Sequence, residues 1–218
     1  MKNLDQRNQI IEFSLKLNST NLSPLRSGNI SLRAQQDNEE GYLITPSGKK
    51  YETLNPENIV FMGLNKDLEN NDSENKPSSE WRFHRDIYLN YKEAQAIVHA
   101  HSTHATAVSS HGKSIPPFHY MIALAGGEDI KCSEYATFGT KELSNNVVKA
   151  LKNRSACLMS NHGQVAFGKN LEDAFELAQE VENICHQYTI ALKLGNPKIL
   201  SFKEMKKVLE KAKNYKKG

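Results

Sequence analysis

The chain is 218 residues long, enough for one well-cored domain and short for two, and 28 Lys and Arg against 25 Asp and Glu leave a net charge of only +3, a weak footing for a nucleic-acid surface. Its three cysteines, Cys132, Cys157 and Cys185, are widely spaced and form no CxxC pair, which argues against a disulfide framework or a thiolate zinc site and fits a reducing cytoplasm. The polar opening MKNLDQRNQIIEFSLKLNST is not expected to be a signal peptide, and no run of about 18 apolar residues occurs, so no membrane association is expected.

Ile10, Ile11, Leu15 and Leu17 lie within one or two turns of each other and predict an opening helix that ends near Asn18 to Asn21. SGNISLR, GYLITPSG and ENIVFMGL are β-branched or aromatic runs punctuated by Gly, Pro and Asn, and read as strands joined by tight turns. The polar NKDLENNDSENKP is a surface loop or hairpin excursion, because no second core-forming composition begins after it. In SSEWRFHRDIYLNY, Trp81, His84 and Tyr88 at i, i+3 and i+7 mark one face of a helix whose start Ser78 or Ser79 can cap. AIVHA follows as a buried strand. Leu158 and Met159 read as another, with Asn161, His162 and Gly163 as its polar end or turn. Leu171, Phe175, Ala178, Val181, Cys185 and Leu192 recur at helical spacing behind Asn170 as N-cap, with Asp173 in the first turn. The closing KEMKKVLEKAKNYKKG predicts a solvated basic helix and tail from about 203. This order gives a single α/β domain over 1–218, with a largely antiparallel or mixed central sheet covered by helices.

The densest chemistry lies in IVHAHSTHATAVS. His99 and His101 are one residue apart on a strand, so alternation turns both imidazoles to the same side. Imidazole nitrogen suits zinc and other divalent transition metals, and a catalytic site usually takes three protein ligands. A lone histidine on an apolar strand is more often a satisfied core residue, and by spacing alone the pair stands about level between the two readings. His162 is the best third ligand and Glu80 a carboxylate able to complete the set, with a surface ion pair as the weaker account of Glu80. His104 falls beyond the strand face, where capping or a bond to a ligand's far side fits better than coordination. His111, His119 and His186 read as structural or exposed.

Three small-residue turns share one capacity. Ser27-Gly28-Asn29, Thr45-Pro46-Ser47-Gly48 and Pro77-Ser78-Ser79-Glu80 offer hydroxyls or an amide together with backbone N–H groups free at a turn or helix start, which can cradle a phosphate without a lysine. Each taken singly is an ordinary tight turn.

These residues resemble the class II aldolase/adducin family over nearly the whole chain, through SGNISLR, LITPSGKKYE, KPSSEWRFHRDIY, IVHAHSTHATAVS, YATFGTKELSNNVVKALKNR and NHGQVAFGKNLEDAF. SSEWRFH, HYMIALAGG and YATFGT resemble its fuculose phosphate branch, while the histidine pair and NHG are shared across the family. The resemblance implies one Zn2+ per subunit held by His99, His101 and His162, with Glu80 as fourth ligand or neighbouring acid/base. It implies phosphate binding by Gly28, Asn29, Ser47, Gly48, Ser78 and Ser79. Tyr120 matches a tyrosine reaching across from a neighbouring subunit as proton donor, which implies a homotetramer with sites at subunit interfaces; without the resemblance it passes for a core or interface residue. Tyr215 matches the tyrosine of a closing tail, although KKG is short for one.

The implied activity is reversible cleavage of a small phosphorylated ketose, L-fuculose 1-phosphate, to dihydroxyacetone phosphate and L-lactaldehyde. No signal positions a lysine as a Schiff-base nucleophile, so another electrophile has to take the enolate charge, and a divalent metal can. A ribulose phosphate 4-epimerase or methylthioribulose phosphate dehydratase would use the same ligands on another ketose phosphate. An adducin-like interaction module, the non-catalytic alternative, would be expected to lack the three histidines.

Overall fold

The computed structural model describes residues 1–65 and 75–215, the last three of these by backbone alone. Most of the expected excursion NKDLENNDSENKP, the KKG tail and the Tyr215 side chain therefore lie outside the described residues. In chain order the elements are α1 (Leu4–Ser19), β1 (Asn29–Gln36), β2 (Glu39–Ile44), β3 (Val60–Gly63), α2 (Trp81–Asn90), β4 (Ala96–Ala100), α3 (Thr103–Ser109), β5 (Cys132–Ser133), α4 (Lys141–Ala150), β6 (Ala156–Met159), β7 (Gly163–Gly168), α5 (Leu171–Lys193) and α6 (Phe202–Tyr215).

The strands form one seven-stranded sheet in the order β3-β2-β1-β4-β7-β6-β5. Every neighbouring pair is antiparallel except β5 and β6, so the sheet is mixed, as the sequence implies. Asp37 and Asn38 make the two-residue turn between β1 and β2 with φ of 52° and 63°, a left-handed conformation that these short polar side chains tolerate.

Strand alternation divides the core into two layers. Ala96, Val98 and Ala100 of β4 join Ile10, Phe13 and Leu17 of α1 and Phe175, Ala178 and Val181 of α5 on one face. Ile97 joins Phe83 and Ile87 of α2 and Val147 of α4 on the other. His99 takes the same parity as Ile97 and so faces α2, where its ring meets Phe83 edge-on at 5.4 Å.

Several local expectations hold and four change. Asn170 caps α5, accepting from the Asp173 N–H at 2.7 Å, and Trp81, His84 and Tyr88 are all buried. Leu192 is 47% exposed, because α5 outruns the sheet that covers its earlier turns, and Leu15 is turned outward while Phe13 fills the core position. The cap residue of α2 is Glu80, without a side-chain cap bond; Ser78 Oγ instead accepts from the Glu80 N–H at 3.3 Å. The closing helix is not wholly solvated, since Met205 is buried and Val208 and Leu209, at helical spacing from it, pack against the core.

Candidate metal centre

Four elements deliver the site. His99 is the fourth residue of β4 and His101 follows the strand's last residue, while Glu80 stands at the start of α2. His162 sits in the turn between β6 and β7, where Asn161 adopts φ 55° and the His162 N–H returns to the Met159 carbonyl at 3.0 Å. The turn needs a glycine next, because a Cβ on Gly163 would come within 2.4 Å of the Ala100 carbonyl oxygen. That close approach packs the His162 turn onto the end of β4.

One ligand-capable atom from each of Glu80, His99, His101 and His162 lies within 4.8 Å of all the others. The three rings cross nearly at right angles, at 76°, 81° and 83° with centroids 4.8 to 4.9 Å apart. His99 Nε2 is 2.9 Å from His101 Nε2 and 3.0 Å from Glu80 Oε2, and His162 Nε2 is 3.2 Å from Glu80 Oε1. His99 Nδ1 donates to the buried Gln164 carbonyl at 2.8 Å, which orients the ring and leaves Nε2 as the nitrogen that faces the group.

Burial by itself would raise the Glu80 carboxyl, but the charge of His99 and hydrogen bonds from His162 and His99 outweigh it and hold the group well below the usual carboxylate range. Burial, with the neighbouring His99 and His162, pushes His101 down to about 3. The donor set fits a divalent transition metal on its own terms. Two imidazole nitrogens face each other at hydrogen-bond distance and Glu80 Oε1 is buried without a well-formed hydrogen bond, an electron-rich arrangement that a cation relieves.

The three turns converge beside this group. Asn29 pairs with His99 across β1 and β4, and its Nδ2 donates to Glu80 Oε2 at 3.0 Å. Gly28 must be glycine for this approach, since a Cβ there would stand 2.6 Å from the His99 carbonyl oxygen. Thr45 ties the second turn to the first through the Ile30 N–H at 3.2 Å and to the third by accepting from the Ser78 N–H at 3.0 Å. The expectation that these turns hold their N–H groups free is corrected in part: Ser47 N–H is spent on the Lys76 carbonyl and Ser78 N–H on Thr45, because the two turns pair with each other through Pro46 and Pro77. Ser47, Gly48 and Ser79 are exposed, whereas Ser78 is buried.

Tyr120 does not join the group within one chain. It opens a 3-10 turn over Tyr120–Ala125, is 55% exposed and rests against the His119 ring. His104 bonds to Glu182 of α5 at 2.8 Å and stacks on His186, with no bond to a candidate ligand. Sequence reasoning missed Gln164, and it missed that His84, burial of which pushes its imidazole down to about 3, reaches Asn29 rather than serving only the packing of α2. The i, i+4 spacing of Glu80 and His84 was the available signal.

The ends of strands in a mixed sheet and the start of one helix thus present three histidines and a carboxylate, a group that could hold a metal ion. The sequence matches the family described as class II aldolase and adducin N-terminal domain over residues 8–189, and the chain belongs to that family. L-fuculose phosphate aldolase of Escherichia coli strain K12 is 47% identical over 209 residues, covering 95% of this chain and 94% of the relative. A 5-methylthioribulose-1-phosphate/5-deoxyribulose-1-phosphate aldolase of Rhodospirillum rubrum is 42% identical over 209 residues, covering 96% and 91%. A solved L-fuculose 1-phosphate aldolase superposes with a TM-score of 0.90 at 38% identity and 98% coverage of each chain. With its Glu and three His in place, the chain is a class II aldolase, an aldehyde-lyase.

Proposed function

We propose that the enzyme reversibly cleaves L-fuculose 1-phosphate to dihydroxyacetone phosphate and L-lactaldehyde. The observation that carries this is the convergence of buried Glu80 and His99 with half-buried His101 and His162 beside the three joined turns. The likeness to the fuculose phosphate aldolases supports the choice of sugar. A second reading, cleavage of 5-deoxyribulose or methylthioribulose 1-phosphate, is favoured by the Rhodospirillum relative. Both readings share the dihydroxyacetone phosphate half and differ only in the aldehyde. The relative is named an aldolase, which also favours bond cleavage over the dehydratase alternative.

His99, His101 and His162, with Glu80 as fourth ligand or neighbour, would hold one zinc ion per subunit. When bound, the metal supplies a Lewis acid for the substrate's carbonyl and adjoining hydroxyl. Gly28, Asn29, Ser47, Gly48, Ser78 and Ser79 bind the phosphate and fix the reacting carbons, through the second Asn29 amide N–H, the hydroxyls and the remaining backbone N–H groups. Glu80 Oε2 is anchored by Asn29 and His99 while Oε1 lacks a well-formed bond, which suits a carboxylate that moves a proton. In condensation Glu80 removes a proton from dihydroxyacetone phosphate and Tyr120, supplied by a neighbouring copy in a homotetramer, donates one to the aldehyde oxygen; cleavage reverses both roles. The exposure of Tyr120 in the single chain supports a role completed by assembly. A cytoplasmic setting agrees with three free thiols and with the lack, among the described residues, of any helix long and apolar enough to cross a membrane.

Zinc-loaded protein, with dihydroxyacetone phosphate release coupled to its reduction, should turn over L-fuculose 1-phosphate faster than 5-deoxyribulose 1-phosphate. The reverse order favours the second reading. No release from these or from ribulose phosphates overturns both.

A further inference from the structure

Behind Asn29 runs a line of three buried polar side chains, His84, Ser31 and Tyr88, that the reaction as described does not use. Asn29 Oδ1 is 2.5 Å from His84 Nε2, His84 Nδ1 is 2.7 Å from Ser31 Oγ, and Ser31 Oγ is 2.8 Å from the Tyr88 hydroxyl. Asn29 and Ser31 alternate onto one face of β1, and His84 and Tyr88 stand at i and i+4 on α2, so the two pairs interleave where helix meets sheet. All four are at most 4% exposed.

The direction of each bond follows from the one before. Glu80 Oε2, on an ionised carboxylate, only accepts, so the Asn29 atom facing it is the amide nitrogen and Oδ1 is left toward His84. Oδ1 also only accepts, so His84 Nε2 carries a proton in either charge state. Burial keeps the ring neutral at ordinary pH, which leaves Nδ1 bare and requires the Ser31 hydroxyl to donate to it. The single Ser31 proton is then spent, and Tyr88, whose phenol burial keeps protonated, donates to Ser31. Rotating the Asn29 amide by half a turn would set oxygen against carboxylate and N–H against N–H, two unsatisfied buried contacts at once.

We propose that Tyr88, Ser31 and His84 form a one-way hydrogen-bond chain that locks the Asn29 amide and through it holds the Glu80 carboxylate in line with the histidines, which makes His84 a positioning residue for proton transfer. The proposal rests on Glu80 acting as set out under Proposed function. Its reach extends to α2 as a whole. The far end of the chain is itself held, with Arg33 over the Tyr88 ring at 4.8 Å and its Nη2 donating to the Tyr88 carbonyl at 2.7 Å.

Imidazole nitrogen NMR on zinc-loaded protein reads the tautomer without substrate, with the His84 signals assigned by their loss in His84→Leu. The expected result is a proton on Nε2 and a bare Nδ1; a proton on Nδ1 overturns the chain even if no ketose phosphate is ever turned over. In the coupled assay, His84→Leu should lower kcat by about a hundredfold with KM changed by less than about threefold, a split expected when the loss falls on the reacting geometry. His84→Gln, which restores an N–H near the Nε2 position, should recover at least about a tenth of that loss, whereas a purely packing role predicts Gln no better than Leu. Tyr88→Phe keeps the ring and serves if His84→Leu does not fold: a kcat unchanged in Tyr88→Phe, with the His84 Nε2 proton shift also unchanged, overturns the proposal.

Discussion

Two groups of histidines start in the same six residues of IVHAHSTHATAVS and end in different chemistry. His99 and His101, joined by His162, cross at 76° to 83°, so their in-plane nitrogens aim at one point. His104 and His186 lie nearly parallel, 25° apart with centroids at 4.0 Å, which sets their nitrogens side by side and lets them converge on nothing. The carboxylates differ in the same sense. Glu182 is spent on His104 Nδ1 and on the His104 and Ala105 N–H groups at the start of α3, whereas Glu80 keeps an oxygen without a well-formed bond. Ring orientation and a carboxylate turned to the inner imidazole nitrogens, more than histidine count, separate a ligand set from a structural pair.

The largest effect that tests this contrast is on metal content. His99→Ala should lose stoichiometric zinc and with it all measurable turnover, while His104→Ala keeps both; equal zinc by elemental analysis in wild type and His99→Ala would refute the ligand assignment. Next comes Glu80→Gln, which should retain zinc and lose activity by about 10²- to 10⁴-fold, the range ascribed to a positioned general acid or base.

The third effect is on pH. His84 and His101 sit at about 3 in the folded chain against an ordinary 6.5, so on acidification the unfolded chain takes up protons that the folded one refuses. The metal-free protein should therefore lose stability as pH falls from about 6.5 toward 3, and His84→Gln should shallow that slope by up to one proton, measured by denaturant unfolding. The depressed Glu80 carboxyl acts with the same sign below its ordinary 4.5. The smallest effect is Glu182→Ala, expected to cost about 1 to 2 kcal/mol of stability by uncapping α3, with zinc content unchanged.

Much of the frame was legible in the chain. Asn170 behind an apolar helical repeat, and Trp81, His84 and Tyr88 on one buried face, are statements about neighbours within one element, and backbone periodicity enforces them. Errors arose where another element competes for the same group: Ser78 and Ser79 do not cap α2 in the expected way because Glu80 occupies that position with its carboxylate drawn to the histidines, and two of the expected phosphate-facing N–H groups close the turns instead.

By itself, then, the sequence determined that His99 and His101 share a side, because residues i and i+2 of an extended strand cannot do otherwise. Only the tertiary structure decided that Gln164 orients the His99 ring, that Asn29 holds Glu80, and that His84 backs Asn29. Those partners lie 51 to 65 positions apart in the chain. No local spacing relates them, and what brings them within 3 Å is the packing of α2 and β7 against β1 and β4 around a common core.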